Sequence, residues 1–182
     1  MKILLTTLLT AMLVACQYNP HARNATTHEP TAAEIVGEYE LDRIYMESYS
    51  EGIGAKVASL PIPPMIRIYT DGTLVAEQFP YFTEMSGGFD YRFEDFRALR
   101  GRWEQVAVAT IANGSGRSKT HYGFLVEGED FPAHLARFGF TGEPKVDGLI
   151  LGFGDPDSGD AIIYKKIKPN KSEQATPRKP SD

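Results

Sequence analysis

The sequence has only one cysteine, and its longest apolar run is too short to cross a membrane. With Cys16 as the single thiol among 182 residues, no disulfide can form within the chain. The run from Ile3 to Val14 covers about twelve residues, whereas a membrane-spanning helix needs about 20. The fold must therefore be held by a hydrophobic core, which a chain of this length can build as a single domain.

Basic residues are also too few for a nucleic-acid protein. The chain has 19 Lys and Arg against 24 Asp and Glu, which gives a formal net charge of −5. Binding of nucleic acid without sequence preference needs dense Lys and Arg, so the charge argues against that partner. It also argues against electrostatic adhesion to anionic lipid headgroups, so membrane association has to come from another source.

The sequence motifs of catalysis and cofactor binding are absent as well. The chain has no Gly-x-Ser-x-Gly elbow, no HExxH or paired Cys-x-x-Cys motif, and no P-loop or dinucleotide fingerprint. Of the four histidines, His121 and His134 lie within the folded part, and we expect them to be ordinary exposed or half-buried residues. We therefore predict that the protein is not an enzyme and holds no metal or cofactor, with a small hydrolase as a minor alternative.

The amino-terminal segment combines a positive charge, an apolar run and a small residue before a cysteine. Lys2 precedes the apolar run, and Leu13-Val14-Ala15-Cys16 ends it. The segment resembles a bacterial lipoprotein signal peptide with a lipobox, which takes no part in the fold. A buried amino-terminal strand or helix, or a plain secretory signal with a free cysteine, are the alternatives.

This resemblance implies an address in the cell envelope. Residues 1–15 would be removed as the signal peptide, and Cys16 would carry diacylglycerol and an acylated amino terminus. Several acyl chains anchor a protein stably where a single chain binds only marginally. Gln17, by the same resemblance, favours the outer membrane. The implied partner is therefore the membrane itself, through a lipid anchor.

Composition divides the remaining chain into three parts. Residues 16–33 are rich in Asn, Thr, Pro and His, which predicts a flexible tether behind the lipidated cysteine. Residues 168–182 carry three prolines and scattered charge, which predicts a disordered tail. Residues 34–167 are predicted to form one β domain.

Apolar residues in the domain mostly recur with a period of two, as in half-buried strands. Asp71-Gly72 separates two such runs and predicts a hairpin with a type I′ turn. Trp103 is odd-numbered whereas Val106 and Val108 are even-numbered, so a regular strand would put them on opposite faces. A bulge near Gln105 would bring them to one face, and we predict it there. Two short helices are expected, at residues 133–138 and, more weakly, at 93–99. Seven or eight short strands with one apolar face predict a mainly β, antiparallel barrel or sandwich.

Three segments together resemble small lipocalin-like β-barrel proteins of bacteria, many of which are uncharacterised lipoproteins. They are Gly37-Glu38-Tyr39, the hairpin at residues 66–73 and the connection at residues 152–160. The first strand of lipocalins carries Gly-x-Trp, whose tryptophan closes the barrel floor, and Tyr39 stands at that position here. The resemblance implies a lipocalin-like small barrel and does not transfer a function.

An aromatic stretch at residues 79–96 is the first candidate contact surface. It holds seven of the chain's 20 aromatic residues: Phe79, Tyr81, Phe82, Phe89, Tyr91, Phe93 and Phe96. A connection this long between strands is unusual unless it binds or covers something, so we predict a lid, a rim or a partner patch. The alternative is a satellite core in which these rings pack against the sheet.

A second candidate is the acidic connection at residues 155–160. Asp155, Asp157 and Asp160 have the oxygen ligands that calcium prefers, although Lys166 stands where an EF-hand has its final glutamate. Pro, Gly and Asp equally favour a simple turn, and we predict the turn.

These features together predict a non-catalytic lipoprotein anchored in the outer membrane. We expect it to bind an apolar small molecule or a partner protein at the open end of a β-barrel. The alternative is a protein-interaction module without a ligand cavity, such as an envelope assembly factor or an immunity protein.

Overall fold

The chain folds into a closed barrel of eight antiparallel strands. The structure, a computed structural model, describes residues 20–46, 52–85, 90–112, 118–154 and 158–168. Each strand pairs with the next along the chain, and the last pairs with the first. The strands are β1 (Gly37–Tyr45), β2 (Met65–Ile68), β3 (Thr73–Glu84), β4 (Tyr91–Ala112), β5 (Ser118–Glu127), β6 (Arg137–Thr141), β7 (Gly148–Gly152) and β8 (Ala161–Lys166). The prediction of a mainly β antiparallel barrel is confirmed.

Helical structure in the described residues is limited to short segments. Two α-helices, α1 (Ala32–Ile35) and α2 (Ile53–Ala58), precede β1 and β2, and 3-10 turns lie at Ala22–Asn24 and Ala133–Leu135. The helix predicted at 133–138 is thus a single 3-10 turn. The helix predicted at 93–99 is wrong, because those residues belong to β4. None of the described helices combines the length and the apolar character needed to span a bilayer.

The hairpin predicted at Asp71-Gly72 is confirmed, but its turn type is wrong. A type I′ turn needs two residues with positive φ, and here only Gly72 has one, at 83°. The Gly72 amide donates to the Tyr69 carbonyl, and the Tyr69 amide donates to the Thr73 carbonyl. The loop therefore has three residues and ends on a left-handed glycine.

A bulge interrupts the pairing of β4 with β5, three residues beyond its predicted place near Gln105. The register shifts between Ala107 and Ala109, which makes Val108 the extra residue. Its side chain is directed toward Gly123, because a methyl group built on that glycine would lie 2.6 Å from Val108 Cγ1. The missing side chain at Gly123 therefore leaves room for the bulged valine.

Large side chains fill the interior of the barrel. The largest fully buried ones are Tyr39, Tyr164, Phe79, Phe82, Phe124, Phe138, Phe140, Ile35, Ile66, Ile68, Leu74 and Leu135. Phe124 stacks on Phe138 with ring centroids 4.9 Å apart, and Phe79 lies parallel to Tyr164 at 6.3 Å. An eight-stranded barrel is just wide enough for its own side chains, and these rings use that space as a core.

Tyr39 of β1 contacts both α1 and β8. It is fully buried, and its hydroxyl donates to the carbonyl of Ile35 in α1. The amine of Lys166, from β8, lies 5.5 Å from the Tyr39 ring centroid and donates to the Glu34 carbonyl. Helix, first strand and last strand are thereby joined at one residue.

The segment that precedes α1 is part of the barrel wall. We call residues 20–31 the strap. Thr26 is fully buried: its amide donates to the Phe140 carbonyl and its carbonyl accepts from the Tyr122 amide. The β5–β6 ladder covers only three residue pairs, so the two strands separate beyond it and the strap fills the space between them. The strap lies within the segment 16–33 that is predicted as a tether, and it is hydrogen-bonded to the barrel, while residues 16–19 lie outside the described residues.

A candidate ligand-binding cavity beside the strap

Two cavities lie beside the strap. The smaller, of about 390 Å³, is lined by strap residues and by residues of β7 and β8. The larger, of about 500 Å³, lies between the strap, the 3-10 turn at Ala133–Leu135 and strands β4 to β8, and we call it the strap cavity. His21 of the strap lines both. Both volumes fall within the range of small-molecule sites.

Small residues make the space for the strap cavity. Its lining includes Gly139, Gly152 and Ala161, from three neighbouring strands. Along β7, Gly152 alternates with the interior residues Leu149 and Leu151, so it belongs to the outer face of the barrel. A methyl group built on Gly152 would meet no atom within 4 Å. The cavity therefore exists where the strands lack outward side chains and the strap lies over them.

Two polar residues of low exposure, His121 and Asp160, line this cavity. The buried polar residues of the described chain are Thr26, His121, Thr141 and Asp160. The two threonine hydroxyls donate to the Gly142 carbonyl and to the Asp147 carboxylate. His121 and Asp160 are 7% and 8% exposed, and among the described residues neither side chain has a hydrogen bond or an ion pair. The fully buried side-chain atoms without a hydrogen-bond partner among the described residues are instead His28 Nε2 and Tyr164 OH, so the polar atoms of His121 and Asp160 keep contact with the cavity space and can meet a ligand there.

The two side chains differ in charge. Burial lowers the pKa of His121, and the nearby Lys119 ammonium lowers it further, so the imidazole is neutral at pH 7. Arg137 also lines the cavity, but it is exposed and forms no ion pair with any described residue. The cavity lining thus combines the Asp160 carboxylate, a neutral imidazole and one solvated guanidinium.

Aromatic rings form the apolar part of the wall. Tyr91 and Phe153 meet edge to face with centroids 5.2 Å apart, and burial raises the pKa of the Tyr91 phenol. His134 packs against Tyr91 at 5.7 Å, and its Nε2 lies 2.8 Å from the Phe82 carbonyl oxygen. His21 also lines the cavity, and its Nε2 lies 2.8 Å from the Gly159 carbonyl oxygen.

The predicted aromatic stretch does not form one exposed surface. Residues 79–96 are not a long connection, because β3 continues to Glu84 and β4 begins at Tyr91. Phe79 and Phe82 are fully buried in the barrel interior, and Tyr91 lines the strap cavity. Phe79 and Phe82 therefore fit the satellite-core alternative, whereas Tyr91 lies in the lining of the candidate site.

The other members of the stretch are half-buried on the β3–β4 hairpin. The Arg97 guanidinium lies 3.6 Å from the Tyr81 ring centroid, and the Lys56 amine of α2 lies 4.7 Å from that of Phe93. Phe93 in turn packs edge to face on Phe96 at 5.2 Å. Phe89 lies outside the described residues.

The remaining predicted sites lie largely outside the described chain. Asp155 and Asp157 lie there, as does Cys16, and the described residues contain no group of three His, Cys, Asp or Glu side chains placed to hold a metal ion. Asp160 belongs to the strap cavity instead. From the sequence, Asp160 is predicted only as a turn residue or a calcium ligand, and His121 only as an exposed or half-buried residue. Neither residue belongs to a local motif that would indicate a binding site.

Comparison with known proteins adds no relative: no protein-family model, curated protein or solved structure matches the chain. The protein is therefore described by its fold and cavity: it is a closed eight-stranded antiparallel barrel with a strap and a cavity on its outer face.

Proposed function

We propose that this protein is a non-catalytic binding protein of the bacterial cell envelope. Lipid on Cys16 holds it at the outer membrane, and it binds a small, partly apolar molecule in the strap cavity. The connectivity supports the lipocalin resemblance, since each strand pairs with the next in a closed barrel. The proposed site differs from a lumen site, because large side chains occupy the interior here.

The observation that carries this proposal is that one cavity is lined by both His121 and Asp160 together with aromatic rings. Ligand sites combine apolar walls with a few polar groups that fix orientation. The strap cavity has both kinds of group, and its two buried polar side chains lack protein partners among the described residues.

Binding can be tested with a cavity-filling variant. Gly152→Leu projects a side chain into space that is empty, so it should block the cavity without disturbing the core. Gly54→Leu, in α2, is the matched control, because a methyl group there also meets nothing within 4 Å and Gly54 lines neither cavity.

The probe is N-phenyl-1-naphthylamine, an uncharged apolar dye that fluoresces when bound. We expect the wild type and Gly54→Leu to bind it equally, and Gly152→Leu to bind it at least about tenfold more weakly. Equal binding by both variants, or no binding by the wild type, would overturn the proposed site.

The envelope address is tested separately. Mass spectrometry of the full chain from a bacterial host should find Cys16 as the amino-terminal residue, carrying acyl chains, and Cys16→Ser should lose them and leave the membrane fraction. An uncut amino terminus or an unmodified thiol would contradict the anchor and leave the cavity proposal standing.

A further inference from the structure

We infer that the ligand of the strap cavity carries a protonated amine on an apolar, preferably aromatic, body, and that Asp160 is its counter-ion. This inference rests on the function proposed above and specifies the class of ligand.

The first step concerns the charge of Asp160. The residue is 8% exposed and lines the cavity, yet no cation of the described chain pairs with its side chain. An unpaired carboxylate in a cavity attracts a cation, and the attraction is stronger where the surrounding walls exclude part of the solvent. A ligand ammonium supplies a full positive charge and up to three hydrogen-bond donors.

The second step concerns the other ionisable groups that line the cavity. No lysine is among them, and the cavity histidines are His21, His121 and His134. His21 and His134 are already engaged with the carbonyls of Gly159 and Phe82. The neutral His121 can accept or donate one hydrogen bond without repelling a cation.

Arg137 is the only arginine in the lining, and it is exposed. Water screens a solvated guanidinium, so it repels a bound ammonium less than the buried carboxylate attracts it. The site should therefore prefer a cationic ligand, because the attraction by Asp160 outweighs the repulsion by Arg137.

The third step concerns the body of the ligand. Tyr91, Phe153 and Tyr122 line the cavity with ring surface, and rings attract cations as well as apolar groups. The volume of about 500 Å³ admits a bicyclic aromatic amine. A bare metal ion fits less well, since no group of three metal-ligating side chains occurs in the described part of the chain.

Three probes with one ring system and different charges test this inference: tryptamine as the cation, tryptophol as the neutral alcohol and indole-3-acetate as the anion. Isothermal titration at pH 7 gives their affinities for the wild type. We expect tryptamine to bind about tenfold more tightly than tryptophol, and indole-3-acetate to bind most weakly.

Asp160→Asn keeps the shape and removes the charge, so it should bring the affinities for tryptamine and tryptophol together. Glu104→Gln, on the exposed face of β4, is the matched control and should leave the ranking unchanged. The ranking in the wild type needs no variant, so the test holds even if Asp160→Asn does not fold.

Tighter binding of indole-3-acetate, or equal binding of all three probes, would overturn the amine preference. Binding of N-phenyl-1-naphthylamine without binding of any indole probe would overturn it as well, with the proposed function intact. Failure of the wild type to bind either the dye or the indole probes would instead count against the proposed function itself.

Discussion

The carboxylate of Glu143 accepts two hydrogen bonds from Thr27, one from its amide at 2.6 Å and one from its hydroxyl at 2.7 Å. His28 Nδ1 lies 3.2 Å from the other carboxylate oxygen. These contacts, with the Thr27 amide as the largest, lower the pKa of Glu143 to about 2. They fasten the strap to the loop between β6 and β7.

Removing this charge should weaken the strap more at neutral pH than in acid. A lowered carboxyl pKa stabilises the fold above the ordinary value of 4.5, and that stability is lost as the pH falls toward 2. We expect Glu143→Gln to lose about 1 kcal/mol of unfolding free energy at pH 7, a modest value because the side chain is 44% exposed. Urea unfolding at pH 7 and pH 3 should show the difference shrinking. A difference that is the same at both pH values, or equally large for exposed Glu129→Gln, would contradict this role.

Two buried tyrosines should respond in opposite ways to loss of the hydroxyl. The Tyr39 hydroxyl donates to Ile35, whereas the Tyr164 hydroxyl is buried and has no partner among the described residues. Tyr39→Phe should cost about 1 kcal/mol of unfolding free energy, and Tyr164→Phe should raise it by a similar amount. Urea unfolding of the two variants side by side measures both. A destabilised Tyr164→Phe would mean that its hydroxyl has a bonding partner.

The β5–β6 contact should be intolerant of any side chain at Gly123. A methyl group there would lie 2.0 Å from the Phe138 carbonyl oxygen, a backbone atom of the paired strand. We expect Gly123→Ala to destabilise the barrel by more than about 2 kcal/mol, while Gly152→Ala is neutral or slightly stabilising. Thermal unfolding of both variants tests the register, and a tolerated Gly123→Ala would place the strands further apart.

The aromatic stretch should behave as core rather than as a lid. Phe79 is fully buried and packs against Phe131, Phe138 and Tyr164. Phe79→Ala should therefore cost about 3–5 kcal/mol, and half-buried Phe96→Ala clearly less. Equal, small effects in chemical denaturation would instead support an open aromatic surface.

The barrel could be predicted from the sequence because its strands carry local signals. Alternating residues such as Leu149 and Leu151 mark an interior face in any strand of period two, and Gly72 marks a hairpin. The wrong predictions concern features that depend on which strands pair, and an alternating pattern does not encode strand pairing. The sequence weakly predicts a helix at residues 93–99, but pairing with β3 keeps them extended.

The strap and its cavity were not predictable for a different reason. Thr26 has an ordinary polar sequence around it, and only the gap between β5 and β6 makes it a wall residue. His121, Gly152 and Asp160 are far apart in the sequence and meet only when the barrel closes. Side chains brought together by topology leave no spacing pattern to detect.

A ligand site beside the strap, rather than within the barrel or on the β3–β4 hairpin, can be located directly by nuclear magnetic resonance. The measurement compares two-dimensional ¹⁵N–¹H spectra of the protein with and without saturating N-phenyl-1-naphthylamine. We predict that the largest shifts fall on the amides of Gly152, Gly154 and Gly159, which line the cavity. Shifts centred on Phe93 and Phe96, with these glycines unmoved, would contradict the strap cavity as the binding site.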